Sequence, residues 1–244
     1  MILPMTSSSD YLRLLALLRL ASPALPIGGF SYSQGLETAV EQGWITGEST
    51  TQIWLADLLR YNLGRFEAPL LGQLCATVKA DDWMQARRLN ARYLASRESA
   101  ELRAETLQMG YSLWQLLLSL PEMQTQHEAI QAALQDLLNE ETEQTQLSLP
   151  LVWSIAARCF DLGAAEALTG YVWAWLENQI MAALKAVPLG QQAGQRLFSA
   201  LLPMVAAVVE QALTLPEKAW SNTAPGFAMA TSWHESQYSR LFRS

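Results

Sequence analysis

The sequence is short of the residues that most often build reactive centres. Its 244 residues include two histidines, His127 and His234, and two cysteines, Cys75 and Cys159. No Cys-x-x-Cys or His-Glu-x-x-His spacing occurs, which removes the common zinc sites. Two cysteines exclude a disulfide scaffold and point to reduced thiols. Basic residues are scarce: 16 Lys and Arg stand against 23 Asp and Glu, a formal charge of −7. That balance argues against a nucleic-acid binder, which normally carries a basic face. No Gly-x-Ser-x-Gly elbow is present. Gly28-Gly29 is followed by no Lys or Arg that would hold a phosphate, and Gly190 to Gly194 lacks the Lys-Ser/Thr pair of a P-loop. Both stretches read as turns, and no catalytic residue, metal or cofactor is expected.

Long hydrophobic runs are missing too. The most apolar one, Ala200 to Val209, contains Pro203 and ends at Glu210, too short to span a bilayer. Met1 to Ser9 has no basic stretch, and Arg13 and Arg19 interrupt the apolar residues that follow, so no signal peptide is expected. The expectation is a cytoplasmic chain with no membrane and no nucleic-acid partner.

What is present is helical periodicity. Strand alternation is scarce. Tyr11 to Leu20 reads as a helix with Asp10 as its N-cap. A Pro- and Gly-rich loop follows from Ala21 to Phe30. Ser31 and Gln34 are spaced as a capping box opening a second helix, which Gly43 ends. Thr50 to Asn62 and Glu67 to Lys79 read as two helices, with Pro69 tolerated in a first turn. Ala86, Leu89 and Tyr93 share a face of the next, opened by Asp81 or Asp82. Leu102, Thr106, Met109, Leu113, Leu116 and Leu120 mark a long amphipathic helix stopped by Pro121. Ile130, Leu134 and Leu137 give another face, and Glu140 to Gln146 reads as a polar connector.

Three apolar helices complete the body: Pro150 to Phe160, Ala164 to Val187, and Gln191 to Leu213 with Pro203 inside it. The expected fold is all-α, a single compact bundle of about ten helices over residues 1–220. A tail, residues 221–244, follows. It mixes Phe227, Trp233, Tyr238, Leu241 and Phe242 with Arg240 and Arg243, residue types that carry interface energy. Two readings stay open: a segment docked on its own core, or one that orders when a partner binds. Glu98, Glu101, Arg103 and Glu105 read as a solvated first turn favoured by the helix dipole. His127 reads as a surface residue, and Cys75 and Cys159 as small buried hydrophobes. Composition and spacing stop there.

One stretch is more specific. Ser22-Pro-Ala-Leu-Pro-Ile-Gly-Gly-Phe30-Ser-Tyr32-Ser-Gln-Gly-Leu-Glu37 closely resembles a signature of UreF, the urease accessory protein family. Glu101-Leu-Arg-Ala-Glu105-Thr106 with Gly110, Lys185-Ala-Val-Pro-Leu-Gly-Gln191, and His234-Glu-Ser-Gln-Tyr238-Ser-Arg240-Leu-Phe242 with Ser244 are similar to later family segments, in the same order. The resemblance covers nearly the whole chain from about Arg13. One departure is Ser148-Leu149-Pro150, where the family often has His-x-Pro; no role of that histidine carries over.

The resemblance implies an all-α homodimer without chemistry of its own. Its implied partners are UreD (also called UreH), the GTPase UreG and apo-urease, to which the assembly delivers nickel. Scaffolding between UreD and UreG is the first function expected, and activation of GTP hydrolysis by UreG the alternative. A helical enzyme with a buried apolar ligand is a third class, resting only on the apolar helices. The candidate partner-binding residues are Phe30, Tyr32, Glu37, Lys185, His234, Glu235, Tyr238, Arg240, Leu241 and Phe242. Two prolines stiffen the 23–30 loop, which either presents Phe30 and Tyr32 to a partner or packs beneath the bundle. Arg240 offers bidentate hydrogen bonds to a carboxylate, and Leu241 and Phe242 offer apolar anchors.

Overall fold

A computed structural model describes residues 7–124, 126–139 and 144–244 of the protein. The fold is all-α and compact. Helix α1 spans Ser8–Leu20. Its N-cap is Ser7, whose hydroxyl accepts from the Asp10 amide while the Asp10 carboxylate answers the Ser7 amide. Asp10 therefore completes a capping box from inside the first turn, where the sequence suggested it as the cap itself.

The expected box at Ser31 and Gln34 does not form. Gly29–Ser31 is a short 3-10 turn, and helix α2 begins later, over Leu36–Glu41. The Ser33 and Gln34 amides are engaged by Ser244, so they cannot start a helix at Ser31. Gln34 and Gly35 both lie in the left-handed region, at φ 52° and 75°. Gly35 also meets the last helix closely: a Cβ there would stand 3.1 Å from the Thr231 amide nitrogen.

Helix α3 (Glu48–Asp57), a π-helical segment (Leu58–Glu67) and α4 (Ala68–Lys79) form one uninterrupted rod. The sequence suggested two helices with a break between them. Pro69 explains both observations. It has no N–H, and its ring clashes with the carbonyl four residues back. The i→i+5 widening relieves that clash, and the Ala68 amide reaches back to the Leu63 carbonyl. The Arg65 carbonyl left free by Pro69 accepts instead from the Ser221 amide at 3.0 Å.

Helices α5 (Trp83–Ala95, capped by Asp82) and α6 (Ala100–Leu118, capped by Ser99) follow as the periodicity suggests. Short helices α7 (Pro121–Gln124) and α8 (His127–Leu134) come next. Half-buried His127 opens α8. Leu138–Asn139 pairs antiparallel with Gln144–Thr145, so the connector carries a minimal two-stranded ladder. The expectation for its remaining residues, 140–143, lies outside the described residues.

The core is built on α9 (Leu149–Cys159) and α10 (Ala164–Ala186). Ser148 caps α9, and every residue from Leu149 to Ala157 is buried. A helix apolar all round belongs at the centre, where each fully buried aliphatic side chain contributes about 1.5–3 kcal/mol. Helix α10 touches α1, α2, α4, α9 and α11. Helix α11 (Gln191–Ala212) runs through Pro203 and packs beside α10. It is long and apolar enough to cross a membrane by length and composition, which the ten-residue run Ala200 to Val209 was not. Here it buries Leu197, Leu201, Val205 and Val208 in the core. Helix α12 (Pro225–His234) and residues 235–244 then pack on α2 and α6.

Candidate functional site

The apolar spacing on α6 places Leu102, Glu105, Thr106 and Met109 on its inward face. Glu105 is therefore buried, and Glu101 sits one turn earlier beside it. The reading of these acids as a solvated first turn is incorrect. The C-terminal segment supplies the reason: it covers them and uses them as anchors.

The anchors can be followed residue by residue. The two Glu37 oxygens accept from the Leu241 amide at 2.7 Å and the Phe242 amide at 3.1 Å. His234, wholly buried, bridges two carboxylates, with Nδ1 2.6 Å from Glu101 and Nε2 3.4 Å from Glu37. Arg240 donates to Glu101 and also to the Gln237 and Glu235 carbonyls. Glu235, on the surface, accepts from the Ala100 and Glu101 amides, so its charge sits at the N-terminus of α6 where the dipole favours it. The Lys185 ammonium on α10 lies 5.6 Å from the centre of the buried Phe242 ring. Seven of these candidate residues, spread from position 37 to position 242, thus share one cluster, Leu241 through its main-chain amide.

The last residue closes it. The Ser244 main-chain oxygen accepts from the Ser33 amide, the Gln34 amide and the Ser33 hydroxyl, at 2.7, 3.0 and 2.7 Å. The Ser244 hydroxyl donates to Glu105 at 2.6 Å. Gln34 donates its amide to the other Glu105 oxygen and accepts from the Trp175 indole. Burial of the Glu105 carboxyl pushes it up to about 7, against the pull of Ser244 and Gln34.

The other candidates sit differently. Tyr32 is buried, its carbonyl held by Asn178, and burial raises its phenol while Arg243 opposes. Leu241 is mostly exposed and Tyr238 entirely so. Phe30 is half-buried and lines a cavity of about 90 Å³ beneath the 22–34 loop. Glu67, Tyr93, Arg97, Glu105 and Tyr171 give that cavity a polar floor. Glu67 accepts from Tyr171 and from Arg97, whose guanidinium stacks over the Tyr93 ring at 4.3 Å.

Ser33, Gln34, Glu101, Glu105 and Ser244 were missed by sequence reasoning. For Glu105 a signal existed, since it falls three residues after Leu102 and four before Met109 on the apolar stripe. For Ser244 the signal is its place in the C-terminal segment that resembles the family. Among the described residues no group of three His, Cys, Asp or Glu is placed to hold a metal ion. The cluster is a hydrogen-bonded polar framework that holds residues 234–244 against α2 and α6.

A family model described as UreF matches residues 45–202. The chain is 50% identical over 233 residues to the urease accessory protein UreF of Azoarcus sp. (strain BH72), covering 96% of each. It is 48% identical over 233 residues to that of Dechloromonas aromatica (strain RCB), covering 96% of this chain and 98% of the relative. The counterpart in Ectopseudomonas mendocina (strain ymp) is 48% identical over 229 residues, covering 94% and 98%.

Proposed function

The chain belongs to the UreF family of urease accessory proteins, and from that premise we propose that it is a scaffold of urease maturation. As a member of that family it is an accessory protein and not an enzyme. In the proposal it links UreD (UreH) to the GTPase UreG in the cytoplasm, and the assembly delivers nickel to apo-urease as cargo.

The observation that carries the scaffold reading is the shape of the 234–244 segment. Glu37, Glu101 and Glu105 hold its polar groups from beneath, while Tyr238 and Leu241 stand outside. Exposed apolar side chains on a rigid backbone lose little conformational freedom on binding, which is how an interface anchor is built. Residues 221–244 are then the unit that responds to UreD, with Arg240 and Leu241 at its edge.

A homodimer is part of the same proposal, and α1 supports it. Tyr11, Leu12, Leu15 and Leu18 are each more than half exposed on one side of that helix. Its charged side chains are taken up elsewhere, Arg13 by Asp10 and Glu166, and Arg19 by Glu122. An uncharged apolar stripe suits a helix from a second copy. For the nickel cargo, the acidic cavity floor suits a polar route better than a storage site.

Light scattering on size-exclusion fractions tests the reading. The protein is run alone, with UreD, and with UreD and UreG, each with and without Phe227 to Ser244. Expected are a dimer alone and complexes that require the full chain. Arg240→Ala is expected to weaken UreD binding about tenfold or more while the fold survives. Unchanged co-purification of that variant overturns the role of the tail. Absence of any complex overturns the scaffold itself.

A further inference from the structure

Among the described residues Glu105 is the one carboxyl that joins the C-terminal segment, the 22–34 loop and the cavity. It is almost fully buried. Its two hydrogen-bond donors, Ser244 and Gln34, are neutral. Several groups face it from the elements packed around it: Tyr32 from the loop, Tyr93 from α5, Arg97 from the α5–α6 turn and Glu67 from the π segment. Arg97 is committed to Glu67 and to the Tyr93 hydroxyl and Arg243 to the Tyr32 hydroxyl, so among the described residues no cation is paired with Glu105. Burial of a carboxylate under these conditions is costly, and a bound proton removes the cost.

The same site is where the chain is fastened. Ser244 holds two main-chain amides of the loop and the Ser33 hydroxyl. The Arg243 amide donates to the Ser31 carbonyl at 2.8 Å. Lifting residues 240–244 therefore frees the loop and admits water to Glu105 in one movement. We propose that seating of Ser244 and uptake of a proton by Glu105 are a single event, making the loop over the cavity a proton-coupled latch. The latch belongs to the free chain and requires none of the proposed partners.

The coupling has a definite form. A carboxyl that titrates near 7 when sealed and near its ordinary 4.5 when wetted makes seating weaker as pH rises between those values. Above about 7 the dependence levels off, since both states are then ionised. Between pH 5.5 and 8.5 the seating equilibrium falls about thirty-fold.

Amide hydrogen exchange on the full chain reads this directly, after correction for intrinsic rates. The reporters are the Ser33, Gln34 and Phe242 amides, and the α9 amides are the internal reference. In the wild type, protection of the reporters is expected to fall about thirty-fold over that range and to level off near pH 7. In Glu105→Gln it is expected to be flat. An identical fall in both proteins, or no fall in the wild type, overturns the proposal. Ser244→Ala is the second variant, because it keeps the main-chain oxygen and removes one donor to the carboxylate. Its levelling point is expected to move to higher pH. A levelling point that stays where it is overturns the proposal even if Glu105→Gln does not fold.

Discussion

Replacing Gly110 with alanine sets two physical effects against each other. In a helix interior alanine is favoured over glycine by about 1 kcal/mol. Gly110, however, lies where α6 crosses the start of α9. A Cβ there would fall well inside contact of the Leu147 carbonyl oxygen and 2.9 Å from the Ser148 carbonyl carbon. Both are backbone atoms, so neither can rotate away. The two segments must separate by about 1 Å to restore ordinary contact. That movement strains three hydrogen bonds: the buried ones from the Leu149 amide to Thr106 and from the Ser148 amide to Asn90, and the half-buried one from Asn90 to the Gln146 carbonyl. Each one broken costs about 1–3 kcal/mol, and overpacking adds about 1–3 kcal/mol. With two bonds lost and the helix gain subtracted, Gly110→Ala is expected to destabilise by about 5 kcal/mol. Gly72 on α4 is the counter-example. A Cβ there would meet Leu168 at 3.6 Å and the Ala212 carbonyl oxygen at 3.8 Å, ordinary contacts. Gly72→Ala is expected to stabilise by up to about 1 kcal/mol. Urea unfolding followed by far-UV circular dichroism gives both values from the midpoints and slopes. A Gly110→Ala protein as stable as the wild type would refute the close-crossing argument. Equal losses in both variants would mean that flexibility, not proximity, is what these helices require.

Other expectations follow from the buried polar groups. Arg97→Met leaves buried Glu67 with Tyr171 as its one side-chain donor among the described residues and is expected to cost about 3–5 kcal/mol; adding Glu67→Gln should restore much of the loss in the same urea assay, and no recovery would count against the pairing. The sealed Glu105 carboxyl titrates above its ordinary value, so its contribution to stability is complete below about pH 4.5 and is lost as pH rises to about 7. The loss is about 3 kcal/mol, and unfolding midpoints of wild type and Glu105→Gln should diverge accordingly; parallel pH curves would contradict it. Burial pushes the Cys75 thiol up to about 12 and that of Cys159 up to about 11. Neither should react with a thiol reagent at pH 8 until denaturant is added, and prompt labelling of Cys75 in the native protein would be inconsistent with its burial.

Much of the body is legible in the sequence because its helices obey local rules. Pro150 announces α9, Asp82 caps α5, and the stripe from Leu102 to Leu113 fixes the inward face of α6. The misreadings occur where a distant residue overrides a local preference. Ser31 and Gln34 have capping-box spacing, yet Ser244, some 210 positions away, takes the amides next to them. Pro69 looks like a helix start, yet the rod continues through it because the π segment widens and Ser221 satisfies the stranded carbonyl. Acidic residues at a helix start normally face water, and Glu101 and Glu105 do not because the C-terminal segment lies on them. The candidate site was legible in its C-terminal members and in Glu37, through the family resemblance. Its α6 half was not identified as part of the site, since charge was read without the stripe on which it sits.

The fastening of Ser244 to Ser33 has a consequence for biogenesis. The contacts that join positions 33–37 to positions 234–244 span roughly 200 residues of chain. Closing so long a loop is entropically costly, and such contacts are favoured only after the intervening chain has collapsed. During synthesis the Ser33 and Gln34 amides and the Glu37 carboxylate therefore wait without their native partners while some two hundred residues are added. The helical body assembles first, and the site is finished last. A ribosome pausing late in translation would hold a molecule with a formed core, an open loop and an exposed Glu105.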